Sequence, residues 1–212
     1  MKIVLDTETT NSLDDPLAYD IGWAIVKPNG EVIKTYSYVV AEIFFNEELM
    51  ASAYFADKIP QYKKEIENGT RIVAKLSTIR KRLKECCEKY NIQEIYAHNA
   101  KFDYLALQTT QRYLTKSRGR WFFPYKAKMC DTLKMSREVL GSDNAYIIFC
   151  KENNYLTKNG TPRFTAEIIH RFLSGDNEFV EEHTGLADVL IEKEIMAYCF
   201  AKNPQLDPYL WA

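Results

Sequence analysis

The stretch "VLDTETTNS", residues 4–12, begins in an apolar run and places two acids, Asp6 and Glu8, directly after it. Residues two apart in an extended strand point to the same side, so both carboxylates can reach one site at the strand's end. Two carboxylates ~4 Å apart repel by about 4 kcal/mol at an effective dielectric constant of 20. A divalent cation converts this repulsion into ligation. The stretch therefore predicts a metal site, with an ordinary polar strand end as the alternative.

The spacing D-x-E is weak evidence by itself, because a chain of this composition is expected to contain about one such pair by chance. A second pair, Asp176 and Glu178, occurs in the turn-like stretch "SGDNE". We interpret that second pair as solvated loop acids. The pair at Asp6 and Glu8 differs because it ends an apolar strand.

Another acid with a defined context is Asp103, in "YAHNAKFDYLAL", residues 96–107. The pattern predicts a helix that leaves a strand, with Asn99 as its N-cap. Asn99 and Asp103 are four residues apart and therefore share a helix face. The alternative is an exposed helix acid beside an ordinary cap.

The stretch "EEHTGLADVLIEKEI", residues 181–195, places His183 five residues before Asp188. On one continuous helix the two side chains would lie about 140° apart and could not share a site. Gly185 indicates that the helix begins near that position, which leaves His183 in a loop. His98 also lies five residues before an acid, Asp103, so spacing alone does not choose between the two histidines.

The order of elements predicts a mixed α/β sheet with helices on both faces. Two β-rich runs around Pro28-Asn29-Gly30 indicate a hairpin. We expect strands at 2–6, 20–28, 31–40, 94–97 and 127–130, and helices at 70–90, 99–114, 131–140 and 185–201.

Composition excludes several classes of protein. The 212 residues carry 28 Lys and Arg against 29 Asp and Glu, so nucleic-acid affinity would have to come from a local basic patch. The five cysteines contain no C-x-x-C spacing, which favours free buried thiols over a disulfide framework or a thiolate zinc site. We find no signal peptide and no membrane-spanning run, so we expect a cytoplasmic protein without a membrane partner.

Together, "DTET", "HNAKFD" and "HTGLAD" resemble the motifs of the DEDD superfamily of 3′–5′ exonucleases, in its DEDDh subgroup. The three motifs occur in the family's order and span most of the chain. The resemblance is closest to small single-domain exonucleases of bacteriophage and bacterial type. It implies an α/β, ribonuclease H-like fold with a mixed five-stranded sheet and helices on both faces, as one exonuclease domain over residues 1–212.

The resemblance also implies roles for individual residues. His183 matches the histidine that defines the subgroup and would act as general base, which favours it over His98. Two Mg²⁺ ions, for which Mn²⁺ can substitute, would drive hydrolysis of the last phosphodiester and release nucleoside 5′-monophosphates. The metal-ligating and catalytic acids would be Asp6, Glu8, Asp103 and Asp188.

A basic segment, residues 112–128, lies within a part of the chain that has no acid between Asp103 and Asp131. Its Arg118 and Arg120 would track phosphates while its aromatic rings stack on bases, as in single-strand binding. The alternative is a solvated helix end whose aromatic residues pack in the core. Residues 153–173 could form a second wall. Substrate contacts are also expected from Thr7, Thr9 and Asn99.

The sequence therefore predicts a metal-dependent 3′–5′ exonuclease on single-stranded nucleic acid, with DNA preferred. One alternative is an exoribonuclease acting on short RNA, because the 2′-OH decides between DNA and RNA and no residue here reports on it. Another is a nucleic-acid-binding module of the same fold without turnover. A proofreading role would require a polymerase or another replication or repair partner.

Overall fold

The protein is built around a mixed sheet, seen in a computed structural model that describes residues 1–10, 15–116 and 121–211. The strands are β1 (Lys2–Thr10), β2 (Leu17–Val26), β3 (Val32–Val40), β4 (Ile72–Ala74), β5 (Glu94–Ala97) and β6 (Lys128–Asp131). Their spatial order is β4-β3-β2-β1-β5-β6. β2 pairs antiparallel with β1 and β3, whereas β5 runs parallel to β1 and β6, and β4 runs parallel to β3.

The hairpin predicted around Pro28-Asn29-Gly30 is confirmed as the connection between β2 and β3. Gly30 adopts a positive φ of 82°, a backbone conformation that glycine takes without steric cost. The Lys27 amide donates to the Glu31 carbonyl at 2.9 Å and closes the turn.

Helices and short helical turns connect the strands within the described residues. The first half of the chain holds α1 (Ala41–Phe44), α2 (Glu47–Met50), a 3₁₀ turn (Ala56–Lys58), α3 (Ile59–Glu67), α4 (Leu76–Tyr90) and α5 (Ala100–Leu114). The second half holds α6 (Thr132–Leu140), α7 (Asn144–Glu152), α8 (Ala166–Ser174) and α9 (Gly185–Lys202).

Both faces of the sheet are buried, as the sequence predicts. Ile3 and Leu5 of β1 face one core, which is shared with residues of α4 and α5. Val4 faces the other core, which is shared with residues of α6, α8 and α9. Because side chains alternate along a strand, Asp6 continues the face of Val4 and points toward α9.

The prediction of a five-stranded sheet is wrong by one strand. Residues 70–75 were expected to begin a helix, but Ile72–Ala74 forms β4 at the sheet edge, and α4 begins only at Leu76. The β-branched Ile72 and Val73 pair with Tyr38 and Val39 of β3, and this contact outweighs the helical spacing of their apolar side chains.

Two expectations from composition have an outcome in the structure. All five cysteines are free and buried, as predicted. Among the described residues, no helix is both long enough and apolar enough to cross a membrane.

Candidate active site

The four predicted acids converge on one cavity of about 640 Å³. Asp6 and Glu8 lie on β1, Asp103 in the first turn of α5, and Asp188 in the first turn of α9. Asp103, Glu8 and Asp188 are all buried, with only 2%, 6% and 5% of their surfaces exposed. Three separate segments of chain therefore bring their carboxylates into the same buried space.

The approach of α9 to the sheet depends on two glycines. A Cβ on Gly22 of β2 would lie 2.2 Å from the Gly185 carbonyl carbon, and a Cβ on Gly185 would lie 2.8 Å from the Gly22 nitrogen. Neither position has room for a side chain. The missing side chains let the first turn of α9, and with it Asp188, lie against β1 and β2.

Another buried acid, Asp20 on β2, fixes the position of the start of α9. Its Oδ2 accepts hydrogen bonds from the Gly185 amide at 2.9 Å and from the Tyr62 hydroxyl at 2.8 Å. Its Oδ1 accepts from Arg71 Nη1 at 2.6 Å. Asp20 is thus a paired structural acid, in contrast to the acids of the cavity.

Burial and mutual repulsion raise the pKa values of the cavity acids. Burial raises the pKa of Asp103 to about 7, that of Asp188 to about 8 and that of Glu8 to about 10. Asp6 has a pKa well above its ordinary value, through burial first and then through Asp103. Because carboxylates favour the charged form beside a cation, this cluster is costly by itself and favourable around divalent ions.

The donor set fits divalent metal ions. One oxygen of Glu8, one of Asp188 and a ring nitrogen of His183 lie within 4.8 Å of one another. Asp188 Oδ1 is buried without a hydrogen-bond partner. Oxygen-rich sites of this kind suit hard cations such as Mg²⁺.

The two histidines have different surroundings. His98 is held at both ring nitrogens, by Thr132 Oγ1 at 3.0 Å and by the Phe164 carbonyl at 2.7 Å. His183 is half-buried at the mouth of the cavity, in the loop before α9, with a positive φ of 54°. Geometry thus agrees with the choice of His183, since His98 has no free ring nitrogen.

Phe55 contacts His183 directly. The two rings stack with centroids 4.2 Å apart and planes at 8°. Burial lowers the pKa of His183, and Lys58 lowers it further, whereas Glu167 raises it. Phe55 therefore supports the imidazole of His183.

The residues that were predicted to contact substrate do not all lie in the cavity. Thr7 and Asn99 line the cavity, but the Thr7 hydroxyl already donates to Asp103 Oδ1 at 2.9 Å. Thr9 is buried outside the cavity lining. Asn99 is the N-cap residue of α5, as predicted, but its backbone is left-handed and its side chain makes no capping hydrogen bond. Arg118 and Arg120 lie outside the described residues.

The aromatic residues at positions 121–125, within the basic segment, divide between core and surface. Phe122 and Phe123 are buried in the core, as the alternative interpretation expected. Trp121 and Tyr125 are exposed and line a second cavity with Arg80 and Lys128. Packing therefore accounts for two of the rings and leaves two available for contacts.

Other cavity residues were missed or only partly anticipated from the sequence. Glu192 and Arg137 line the cavity and were not predicted. The spacing of Glu192, four residues after Asp188, was the available signal for it. From the segment 153–173, Thr157, Arg163 and Phe164 line the cavity.

The sheet order and the helices on both faces of the sheet define a ribonuclease H-like α/β fold of the type found in exonucleases. Comparison of the sequence with protein-family models and with curated proteins finds no match. The fold is therefore recognised through solved structures.

The chain is similar to Exonuclease X in complex with 5′-overhanging duplex DNA, at 13% identity and a TM-score of 0.52, over 97% of this chain and 95% of that chain. The E. coli ExoI–single-stranded DNA complex with zinc matches at 12% identity and a TM-score of 0.61, over 96% of this chain and 41% of that chain. S. pombe Pop2p with Mg²⁺ and Mn²⁺ matches at 12% identity and a TM-score of 0.54, over 95% of this chain and 83% of that chain. The chain spans about two fifths of the ExoI chain.

Proposed function

We propose that this protein is a metal-dependent 3′–5′ exonuclease of the DEDDh type that removes nucleoside 5′-monophosphates from single-stranded DNA. One observation carries the proposal. Carboxylates from β1, α5 and α9 face a single cavity, and Asp188 Oδ1 is buried there without a partner. A site that only bound nucleic acid would gain nothing from clustered negative charge facing phosphates.

Four acids would hold two Mg²⁺ ions, for which Mn²⁺ can substitute. These are Asp6, Glu8, Asp103 and Asp188. When bound, such a pair of ions supplies an activated water and neutralises charge on the departing 3′ oxygen. Support comes from the donor set and from Pop2p, whose structure contains Mg²⁺ and Mn²⁺.

His183 is the proposed general base. Its Nδ1 lies 4.0 Å from Glu181 Oε2, and we assign Nε2 as the nitrogen that would accept a proton from the attacking water. Because its pKa is lowered, the imidazole is neutral at neutral pH and can act as a base. The stacked ring of Phe55 limits the directions in which the imidazole can turn.

The cavity matches a terminal nucleotide in size and chemistry. A volume of about 640 Å³ lies in the usual range of ligand sites. Arg137 and Arg163 line it and can contact phosphate oxygens, while Phe102 and Phe164 offer apolar surface to a base or sugar. The preference for DNA rests on the resemblance to phage-type exonucleases, and two similar structures hold DNA.

One gel tests the proposal. Single-stranded DNA, duplex DNA and RNA, each labelled at the 5′ end, are incubated with Mg²⁺, Mn²⁺ or EDTA. We expect a ladder that shortens from the 3′ end of single-stranded DNA, and no ladder in EDTA. Faster shortening of RNA would assign the activity to an exoribonuclease, and binding without shortening would assign the protein to a binding module.

Two variants and a control locate the activity. Asp6→Ala and Asp188→Ala should abolish hydrolysis without unfolding the protein, because neither acid is needed for the fold in the absence of metal. Glu138→Gln, at an exposed position on α6, should degrade DNA like the wild type. Degradation by Asp6→Ala at the wild-type rate would refute the site.

A further inference from the structure

A fifth acid, Glu192, lies in the same cavity as the four predicted ones. It follows Asp188 by four residues on α9, so the two side chains project from the same helix face, one turn apart. Only 3% of Glu192 is exposed. Glutamate is almost never buried this completely unless it is paired or bound to a metal.

Glu192 has no cationic partner among the described residues. Its Oε2 is buried without a hydrogen-bond partner, and none of the ion pairs found there includes it. A hydrogen bond from the His98 backbone amide lowers the pKa of this carboxylate, against the larger effect of burial, which raises it. One oxygen is therefore stabilised by the backbone, and the other faces the acidic cavity unpaired.

The side chains of the cavity that could bind metal fall into two groups. Glu8, His183 and Asp188 are close enough for their ligand atoms to lie within 4.8 Å of one another. The same cavity holds Asp6, Asp103 and Glu192, which lie outside that group. After burial, the charges of Asp103 and Glu192 contribute most to the raised pKa of Asp6. Glu192 thus adds a third carboxylate to Asp6 and Asp103, a set that lacks the histidine of the first group.

We propose that Glu192 is a fifth carboxylate of the metal site and strengthens binding of the ion held by Asp6 and Asp103. The inference rests on the proposed function, because it assigns a residue to the same pair of ions. Four carboxylates balance the charge of two divalent cations, and a fifth makes the empty site more negative and the loaded site tighter. The ion held by Asp6 and Asp103 then stays bound at lower metal concentrations.

Calorimetric titration of the metal-free protein with Mn²⁺ tests this directly, without any substrate. Glu192→Gln keeps the size of the side chain and an oxygen that can accept from the His98 amide, but it removes the charge. We expect the weaker of two Mn²⁺-binding events to lose at least tenfold in affinity. Glu194→Gln, two residues further along α9 and exposed, is the matched control and should bind Mn²⁺ like the wild type.

A second variant separates charge from packing. Glu192→Asp keeps the charge but shortens the side chain by one methylene, so its Mn²⁺ affinity should lie between that of the wild type and that of the glutamine variant.

Unchanged affinity and stoichiometry in Glu192→Gln would overturn the inference and leave Glu192 as a support for the His98 backbone. If wild type binds two Mn²⁺ ions and degrades DNA while Glu192→Gln binds them equally well, only this inference fails. If wild type binds no Mn²⁺ and leaves DNA intact, the proposed function fails.

Discussion

Replacing Asp103 with asparagine should make the metal-free protein more stable at alkaline pH. Burial raises the pKa of Asp103 from 3.8 to about 7. Each tenfold change in proton affinity is worth about 1.4 kcal/mol, so ionised Asp103 destabilises the fold by up to ~4 kcal/mol. For a chain of this length, that corresponds to roughly 8–16 °C in melting temperature as an upper limit.

The sign of the pH dependence follows from the direction of the shift. The folded state holds the Asp103 proton more tightly than the unfolded chain, so protonation favours folding. The free energy of unfolding of the metal-free wild type should fall as pH rises from 3.8 to about 7. Asparagine at position 103 still accepts the hydrogen bond from Thr7 Oγ1, so the variant loses the charge without losing this contact.

The assay is thermal unfolding in EDTA at pH steps from 5 to 8.5. Asp103→Asn and wild type should differ least at pH 5 and most at pH 8 and above. Saturating Mn²⁺ should reverse the order, because wild type gains a ligand for the ion that the variant lacks. Glu138→Gln is the control for removal of one surface charge. A variant that melts below wild type at pH 8.5 in EDTA would refute the electrostatic argument.

Three further predictions concern the rest of the site. Phe55→Ala should lower kcat about tenfold and move the acidic limb of the pH–rate profile to higher pH, because exposure raises the pKa of His183. Gly22→Ala should cost about 1–3 kcal/mol in a denaturant melt and weaken Mn²⁺ binding, because its Cβ would meet the α9 backbone at 2.2 Å. Arg118→Ala with Arg120→Ala should raise KM for single-stranded DNA and reduce the slope of log KM against log salt by about 1.4.

These predictions have controls within the chain. Phe45→Ala removes an exposed ring from the same stretch as Phe55 and should leave the pH–rate profile unchanged. Arg82→Ala removes a surface arginine of α4 and should leave the salt slope unchanged. An unaltered melt for Gly22→Ala, or an unaltered slope for the double arginine variant, would contradict the corresponding assignment.

Local pattern was sufficient to predict much of the fold. β1, the β2–β3 hairpin and β5 follow from short apolar runs and a Pro-Asn-Gly turn, and the start of α9 follows from Gly185. The four acids were identified because each stands at the end of an apolar strand or the start of a helix. Their convergence on one cavity agrees with the interpretation of the motifs.

Features that depend on distant partners could not be predicted in this way. β4 has only three residues and forms by pairing with β3, which lies far earlier in the chain. The spacing of Glu192, one helical turn after Asp188, does not reveal that the fold buries its carboxylate. The contact of Phe55 with His183 joins two loops with no shared pattern, so no spacing rule could indicate it.

The position of α9 has a consequence for synthesis of the protein. This helix is the last one described, yet it supplies Asp188 and covers β1 and β2, which the ribosome makes long before it. A nascent chain that has not yet released residues 185–202 exposes one side of its central strands and lacks the third acidic segment. Such a chain lacks part of the proposed set of metal ligands, so the proposed activity would have to wait until residues 185–202 have left the ribosome.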